Sequence, residues 1–340
     1  MSPDQTAPLQ HAFIVVLTYV FTAFLPFLQR QSQLYWPFLA STALVALLFW
    51  GVAREGGARL PWRDFRRRYL GRALWWHPSA RADYRYYLVN TAIYPLVAGP
   101  ALVTGAAIAG GLHGVLRPLA GAPHALADAG WGMTALYTLL FFVAYDFGRF
   151  VAHSALHDVP LLWEFHKPHH SAEVLTPFTA FRAHPVDLAV MAWGSAITTG
   201  IVTWAFQWLG GPTITSYQFL GMHVLLWGFN LLGNLKHWQL PISYGRVLDR
   251  WLISPAHHQL HHSAEARHFG RNRGFEIALW DRLFGTLALP RQGEAFRMGL
   301  GDGSDGRWHR VWKLYCWPVW FAALRLAGRG TTAAGEGAAE

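Results

Sequence analysis

Residues 131–170, WGMTALYTLLFFVAYDFGRFVAHSALHDVPLLWEFHKPHH, join an uncharged apolar run to a segment that is rich in histidine. The run up to Tyr145 is slightly short for a helix that crosses a bilayer, which needs about 20 mostly apolar residues. We expect this helix to continue past Asp146 and to leave the membrane. Two histidine motifs follow, His153-Ser-Ala-Leu-His157 and His166-Lys-Pro-His169-His170. The stretch therefore predicts histidine side chains held by helices just outside a membrane.

The composition of the whole chain also indicates a membrane protein. Of its 340 residues, 53% are hydrophobic and 14% are charged, and its mean hydropathy is +0.18, whereas soluble domains carry roughly a quarter of charged residues. Five further apolar runs are candidate membrane helices: Ala12–Gln29, Leu34–Ala53, Tyr86–Leu112, Leu188–Leu209 and Tyr217–Leu235. The sequence thus predicts an all-α integral membrane protein with about six transmembrane helices. We interpret the N-terminal run as a span and not as a cleaved signal peptide.

The distribution of arginine predicts the orientation of these spans. Nine arginines lie between Arg54 and Arg85, and short loops with many basic residues stay in the cytoplasm. With six spans, residues 146–187 and 236–301 face the cytoplasm as well. The net charge of +9 is then explained by topology and by anionic lipid headgroups, so no nucleic acid partner is expected. The basic loop could instead dock an acidic electron carrier.

We expect three segments along the chain. Residues 1–130 contain N-terminal transmembrane helices and the basic loop, and residues 131–301 form the catalytic domain. Residues 302–340 contain an interfacial helix, in which basic residues alternate with tryptophans from Arg307 to Arg329, and a disordered tail. The single cysteine, Cys316, excludes a disulfide framework, a cysteine-ligated zinc ribbon and an iron–sulfur cluster held by several thiolates.

Histidine is the residue type that carries the functional prediction. Thirteen of the 18 histidines lie between positions 153 and 268, and a second HxxHH motif occurs at positions 258–262. Histidines four apart share one face of a helix. In each HxxHH motif we expect the first and second histidines to share a face and the third to be turned by about 100°, so that one motif can serve two ions. The candidate metal ligands are His153, His157, His166, His169, His170, His184, His237, His258, His261 and His262.

The ligand type predicts the class of metal. Imidazoles without thiolates suit iron, zinc, copper or nickel and leave positions for oxygen or water. A single zinc needs only three or four ligands, so ten histidines fit two ions with about five each. The alternative, a set of surface histidines at a membrane interface, does not explain three spaced clusters on one side of the membrane.

The order of the motifs resembles the fatty acid hydroxylase / sterol desaturase superfamily. The resemblance covers about residues 146–286 and rests on HxxxH, the two HxxHH motifs, the RxHP box at 182–185, Asn272-x-Gly274 and the string WDRLFGT at 280–286. It implies an integral-membrane non-haem di-iron enzyme that uses O2 and two electrons to hydroxylate or desaturate lipid C–H bonds, with the ten histidines as iron ligands. Ser154 and Gln239 depart from residues that many members carry.

The resemblance also implies candidate roles for acidic residues. Asp146 and Asp281 are the candidate catalytic residues. Together with Glu164 and Asp187 they could accept the second ring N–H of a ligand and fix its tautomer, or they could be surface or helix-capping charges. We expect two Fe2+ ions, a lipid substrate, an active site that faces the cytoplasm and electrons from a separate carrier or reductase.

Three other kinds of membrane protein also bind metals through histidine. A zinc-dependent hydrolase would need a carboxylate base, as in HExxH, and a metal transporter would need ionisable residues at mid-membrane depth. The sequence has no HExxH string and its spans are nearly free of ionisable residues. A haem-binding electron carrier would place paired histidines within facing spans, whereas here they lie at span ends and in polar segments.

Overall fold

A computed structural model describes residues 14–329, apart from residues 16, 56, 98, 100–101, 122–129, 212, 292 and 295. These residues are mostly helical, as predicted. The helices, in chain order, are α1 (Leu17–Phe27), α2 (Trp36–Val52), α3 (Trp62–Tyr69), α4 (Arg72–Trp75), α5 (Pro78–Val97), α6 (Gly105–Ala120), α7 (Trp131–Asp158), α8 (Pro160–His170), α9 (Pro185–Gly210), α10 (Val224–Lys236), α11 (Gly245–Leu248), α12 (Pro255–His261), α13 (Leu279–Leu283) and α14 (Val311–Leu326). Two antiparallel hairpins pair β1 (Arg54–Glu55) with β2 (Ala58–Arg59) and β3 (Gln218–Phe219) with β4 (Met222–His223).

The long helices α7 and α9 form the centre of the molecule. Among the described residues, they are the two helices long and apolar enough to cross a membrane; α1 and α2 are shorter apolar helices. The two long helices cross at Gly148 and Gly194, where a Cβ atom on either residue would lie 2.3–2.5 Å from the carbonyl oxygen of the other. Small residues at this crossing let the two backbones approach closely.

The predicted helical continuation of the span that begins at Trp131 is confirmed, since α7 runs on to Asp158. This helix has 28 residues, which corresponds to about 42 Å. It is longer than the hydrocarbon core, which is about 30 Å thick. The helix therefore carries side chains from an apolar run to a polar region within one rigid element.

Two of the six predicted spans differ from the structure. The predicted span Tyr86–Leu112 is divided between α5 and α6, because Thr104 starts a new helix by accepting a hydrogen bond from the backbone N–H of Ala107 at 3.1 Å. The predicted span Tyr217–Leu235 begins with the β3–β4 hairpin, which turns at Leu220 and Gly221, both with positive φ. Helix α10 keeps 13 residues, about 20 Å, and is too short to cross a bilayer.

The C-terminal helix packs on the histidine-bearing part of the chain. Trp317 and Phe321 of α14 are buried in one apolar cluster with Trp308 and Tyr86, so this face of α14 is part of the protein core. Trp312 and Trp320 are exposed. The predicted tail from Gly330 to Glu340 lies outside the described residues.

Candidate metal centre

Nine of the ten predicted ligands lie together in two groups, where α7, α8, α12 and the end of α10 meet. The five-histidine cluster consists of His153, His157, His166, His170 and His261. The four-histidine cluster consists of His169, His237, His258 and His262. Within each cluster the ligand atoms lie within 4.8 Å of one another. The rings of His170 and His262 are stacked with centroids 4.6 Å apart, so the two clusters adjoin.

Each HxxHH motif serves both clusters, as predicted, but the partition differs from the prediction. On α8 the first and third histidines, His166 and His170, enter the five-histidine cluster, while His169 enters the four-histidine cluster. The motif on α12 is reversed, since His261 alone joins the five-histidine cluster. Residues four apart on a helix are offset by about 40°, whereas residues three apart are offset by about 60° in the opposite direction. The i, i+4 pair therefore shares a face in both motifs.

In three rings of the five-histidine cluster, the nitrogen that points away from the cluster donates a hydrogen bond to an oxygen atom of the protein. Nδ1 of His153 lies 2.7 Å from the carbonyl oxygen of Arg273, and Nδ1 of His261 lies 2.8 Å from that of Arg271. Nδ1 of His166 lies 2.8 Å from Oδ2 of Asp187. Because carbonyl and ionised carboxylate oxygens only accept, each Nδ1 carries the hydrogen, and a neutral ring then has a bare lone pair on Nε2.

These lone pairs point at one another, which fits a bound cation. Nε2 of His153 lies 3.1 Å from Nε2 of His166, and both nitrogens are acceptors in the tautomers fixed above. Nε2 of His157 lies 3.3 Å from that of His153 and 3.3 Å from that of His261. Ligands bound at about 2.1 Å to one ion and about 90–110° apart lie about 3.0–3.4 Å from each other. The spacing therefore matches a coordination shell.

The four-histidine cluster has the same spacing between its Nε2 atoms. Nε2 of His258 lies 3.0 Å from that of His237 and 3.2 Å from that of His262, and Nε2 of His237 lies 3.3 Å from that of His169. The outward Nδ1 atoms of His169, His237 and His262 are buried and have no hydrogen-bond partner among the described residues. These three rings are therefore held by packing and not by hydrogen bonds to their outward nitrogens.

Burial keeps these imidazoles in the neutral form that binds metals. Mainly through burial, the pKa of His237 is lowered to about 3, and so is the pKa of His261. For His258 and His262, burial and the neighbouring histidines lower the pKa well below the usual value for histidine. Neutral imidazole is the form that ligates a metal, so the site is ready for metal near pH 7.

Comparison with known proteins agrees with this geometry. Residues 138–286 match the model of the fatty acid hydroxylase family, and that segment contains all nine clustered histidines. This segment, less than half of the chain, is similar to the fatty acid hydroxylase family.

Curated relatives of this chain act on different lipids, according to their names. It is 31% identical to a Delta(7)-sterol 5(6)-desaturase of Gibberella zeae over 48% of the chain and 45% of that protein. It is 29% identical to an ornithine lipid hydroxylase of Rhizobium tropici over 50% of the chain and 47% of that protein. It is 29% identical to an alkylglycerol monooxygenase of Xenopus tropicalis over 45% of the chain and 31% of that protein. The chain thus spans less than half the length of these relatives, and no solved structure matches it.

His184, the tenth predicted ligand, lies outside both clusters. It is the N-cap of α9, where its Nδ1 accepts a hydrogen bond from the backbone N–H of Val186 at 3.1 Å. Its Nε2 lies 3.3 Å from the carbonyl oxygen of Tyr315 and must donate to it. Both ring nitrogens are occupied, so the structure gives His184 no free lone pair for a metal.

Of the four acidic residues considered as partners for ligand rings, Asp187 contacts a ring directly. Asp146 accepts hydrogen bonds from the backbone N–H groups of residues 276 and 277 and from the indole of Trp280. Asp281 accepts from two further backbone N–H groups of the same loop. Glu164 pairs with Lys167 and Arg325. Asp146 and Asp281, the two candidate catalytic residues, thus hold the loop beside the histidines and do not contact the histidines themselves.

Two features of the site are not foreseen by the sequence analysis. The backbone carbonyls of Arg271 and Arg273 are acceptors for ligand rings, although the motif Asn272-x-Gly274 between them is visible in the sequence. Arg182 is fully buried and pairs with Asp83 at 3.0 Å, while its Nε donates to the carbonyl oxygen of Pro168 at 2.9 Å. Arg182 of the RxHP box therefore fixes the end of α8, which carries three of the histidines.

Proposed function

We propose that this chain is a membrane-bound di-iron oxygenase that uses O2 and externally supplied electrons to hydroxylate or desaturate a lipid. The proposal combines the lipid-oxidising activities in the names of its relatives with the two clusters of neutral imidazoles. A bound pair of iron ions would supply the redox chemistry that an unactivated C–H bond requires. The protein would supply ligands, orientation and shielding from water.

The observation that carries the proposal is the facing of Nε2 lone pairs at 3.0–3.3 Å in two adjoining clusters. One such cluster would fit any single transition metal. Two clusters with nitrogen donors alone favour a two-metal site without thiolate ligands, and nitrogen ligands are compatible with iron. The five-histidine cluster would hold one ion and the four-histidine cluster the other. His184 is not part of the proposed ligand set.

The placement of the histidines fits a substrate that resides in a membrane. The apolar run of α7 ends at Tyr145, and His153 follows eight positions later on the same helix, a rise of about 12 Å. The site would therefore lie close to the membrane surface, where a lipid chain could enter from the bilayer. We infer that this surface is the cytoplasmic one, because the basic loop between Arg54 and Arg85 predicts that side.

The roles of individual residues follow from their hydrogen bonds. Asp187 would keep the Nδ1 hydrogen on His166 and so present its Nε2 to the metal, and the carbonyls of Arg271 and Arg273 would do the same for His261 and His153. Asp281 would keep the carbonyl of Arg273 in place by accepting from the N–H of Gly274, and Asp146 would anchor the same loop at residues 276 and 277. The electrons would come from a separate carrier or reductase.

Metal analysis of the purified full-length chain, combined with lipid profiling, tests the proposal. We expect two non-haem irons per chain and, in cells that express it, a lipid product that has gained one oxygen or lost two hydrogens. Cells that express His166→Ala serve as the matched control and should lack the product. Zinc in place of iron with a hydrolysed lipid product, or bound haem, would contradict the proposal.

A further inference from the structure

The loop between Arg271 and Ile277 offers two carbonyl oxygens to two rings of the five-histidine cluster. Nδ1 of His261 donates to the carbonyl of Arg271, and Nδ1 of His153 donates to the carbonyl of Arg273. Each carbonyl shares a planar peptide group with the N–H of the next residue. The partners of those two N–H groups therefore decide how firmly each acceptor is held.

Asp281 binds the opposite end of the peptide group that serves His153. Its Oδ2 accepts from the N–H of Gly274 at 2.8 Å, and Gly274 N–H and Arg273 C=O belong to the same peptide. Its Oδ1 accepts from the N–H of Arg273 at 2.7 Å and from the hydroxyl of Thr286 at 2.6 Å. The hydrogen bonds thus run in one line from a carboxylate, through a peptide, to the ring of His153.

The loop is shaped for this arrangement. A Cβ atom on Gly274 would lie 2.7 Å from Oδ2 of Asp281 and 3.0 Å from the carbonyl oxygen of Ile277, so glycine is required for the carboxylate to reach the N–H. Asn272 has φ of 53°, a left-handed conformation that asparagine tolerates better than most residues. Its side chain is fixed by hydrogen bonds to Ala288 on both its oxygen and its nitrogen.

We propose that Asp281 is a positioning residue for the metal of the five-histidine cluster and that it acts on His153 through the peptide group between Arg273 and Gly274. A carboxylate that binds a ligand histidine directly orients the ring and makes it a better ligand. Hydrogen bonds in a chain polarise one another, so a carboxylate one peptide away has the same direction of effect. Asp281 is 0% exposed, and its charge is therefore little screened by solvent.

The proposal rests on the proposed function only in that both clusters bind metal. The test is a titration of the metal-free, full-length chain in detergent with Co2+, in competition with a chelator of known affinity. The visible spectrum of Co2+ reports the geometry of each site. His157→Ala and His262→Ala identify which binding event belongs to the five-histidine and which to the four-histidine cluster.

We expect Asp281→Asn to weaken binding at the five-histidine cluster by about 10- to 100-fold, to change its Co2+ spectrum and to leave the other event unchanged. Gly274→Ala should produce the same selective loss, because its Cβ would displace the carboxylate. Asp305→Asn is the matched control, since Asp305 also accepts a backbone N–H, that of Leu300 at 2.7 Å, and lies against a glycine, Gly299. It should alter neither event.

Equal weakening of both events by Asp281→Asn and Gly274→Ala, or no change in either event, would overturn the proposal. If Asp281→Asn does not fold, Gly274→Ala decides the question by the same two readouts. Binding of fewer than two ions by the unmodified chain would overturn both this inference and the proposed function, whereas two ions without selectivity would overturn the inference alone.

Discussion

The five-histidine and four-histidine clusters use the same side chain but are supported differently. In the five-histidine cluster, the outward nitrogens of His153, His166 and His261 each have an acceptor at 2.7–2.8 Å. In the four-histidine cluster, those of His169 and His237 are buried without such a partner in the described part of the chain. Hydrogen bonds therefore fix the tautomer and ring angle of three histidines in the five-histidine cluster, whereas packing alone holds His169 and His237 in the four-histidine cluster.

Because of this difference, two clusters built from the same ligand type can differ in metal affinity. Partners of ligand rings change metal affinity by about 10- to 100-fold, and the five-histidine cluster also offers one more ligand. We therefore expect the ion in the five-histidine cluster to bind more tightly.

The largest effect on bound iron and turnover should come from removing one histidine from either cluster. His169 and His170 are adjacent on α8 but belong to different clusters, so His169→Ala and His170→Ala form a matched pair. Each should reduce the bound iron from two ions to one and lower turnover by more than the roughly 100-fold effect of losing a supporting residue. Iron analysis and product assay check this, with membrane insertion as the control for folding. Loss of both ions in either variant would show that the clusters are not independent.

A smaller effect should follow from changing the acceptor of His166. Asp187→Asn keeps a hydrogen-bond acceptor for Nδ1 but removes its charge, whereas Asp187→Ala removes both. We expect metal affinity at the five-histidine cluster to fall by about tenfold for the first and by up to about 100-fold for the second. Chelator competition measures both variants. An unchanged affinity in Asp187→Asn would indicate that the charge of Asp187 has no role beyond holding the ring, and equal losses in the two variants would indicate that the uncharged hydrogen bond contributes nothing.

In the unmodified chain, the order in which the two clusters lose their ions tests the difference in support between them. A chelator should remove the ion of the four-histidine cluster first, at least about tenfold faster, because no hydrogen bond holds three of its rings against rotation away from the metal. Time-resolved Co2+ spectra, assigned with His157→Ala and His262→Ala, report the order. Simultaneous or reversed release would contradict the difference in support between the clusters.

Much of this site could be predicted from the sequence. Motif spacing accounts for eight of the nine clustered histidines, because i, i+3 and i+4 positions on short helices already limit where their rings can lie. The ninth, His237, belongs to no motif and is predicted only from its place at the end of an apolar run. The partition between clusters could not be derived in the same way. It depends on how α8 and α12 face each other, which is set by contacts far away in the sequence, such as the hydrogen bonds of Arg182 to Asp83 and Pro168.

The features of the site and fold that residue types do not reveal are features of the backbone. Every residue has a carbonyl group, so nothing in the identity of Arg271 or Arg273 marks it as a partner of a ligand. The same reason explains the divided span between Tyr86 and Leu112, since hydropathy does not show that Thr104 caps a new helix. The long apolar helices α7 and α9 agree with the sequence prediction, because a long run of apolar residues is visible directly in the sequence.

The smallest expected effect on metal binding is that of replacing His184. If His184 bound metal in the four-histidine cluster, both clusters would have five ligands. His184→Asn should keep two ions, with affinities within about twofold of the unmodified chain, because asparagine can accept the N–H of Val186 at the N-cap in the same way. Metal titration tests this directly. Loss of one ion in this variant would return His184 to the ligand set and remove the inequality between five and four ligands.

His184→Asn should also change how the free energy of unfolding depends on pH. Burial lowers the pKa of His184 to about 4, whereas histidine in an unfolded chain has a pKa of about 6.5. Between these values the unfolded chain binds more protons, so the free energy of unfolding falls as the pH decreases from about 6.5 to about 4. Asparagine does not titrate, so denaturant unfolding of metal-free His184→Asn should lose less stability than the unmodified chain over this range. Parallel pH profiles would mean that His184 is not buried as a neutral cap, and its two hydrogen bonds could no longer be used to exclude it from the metal site.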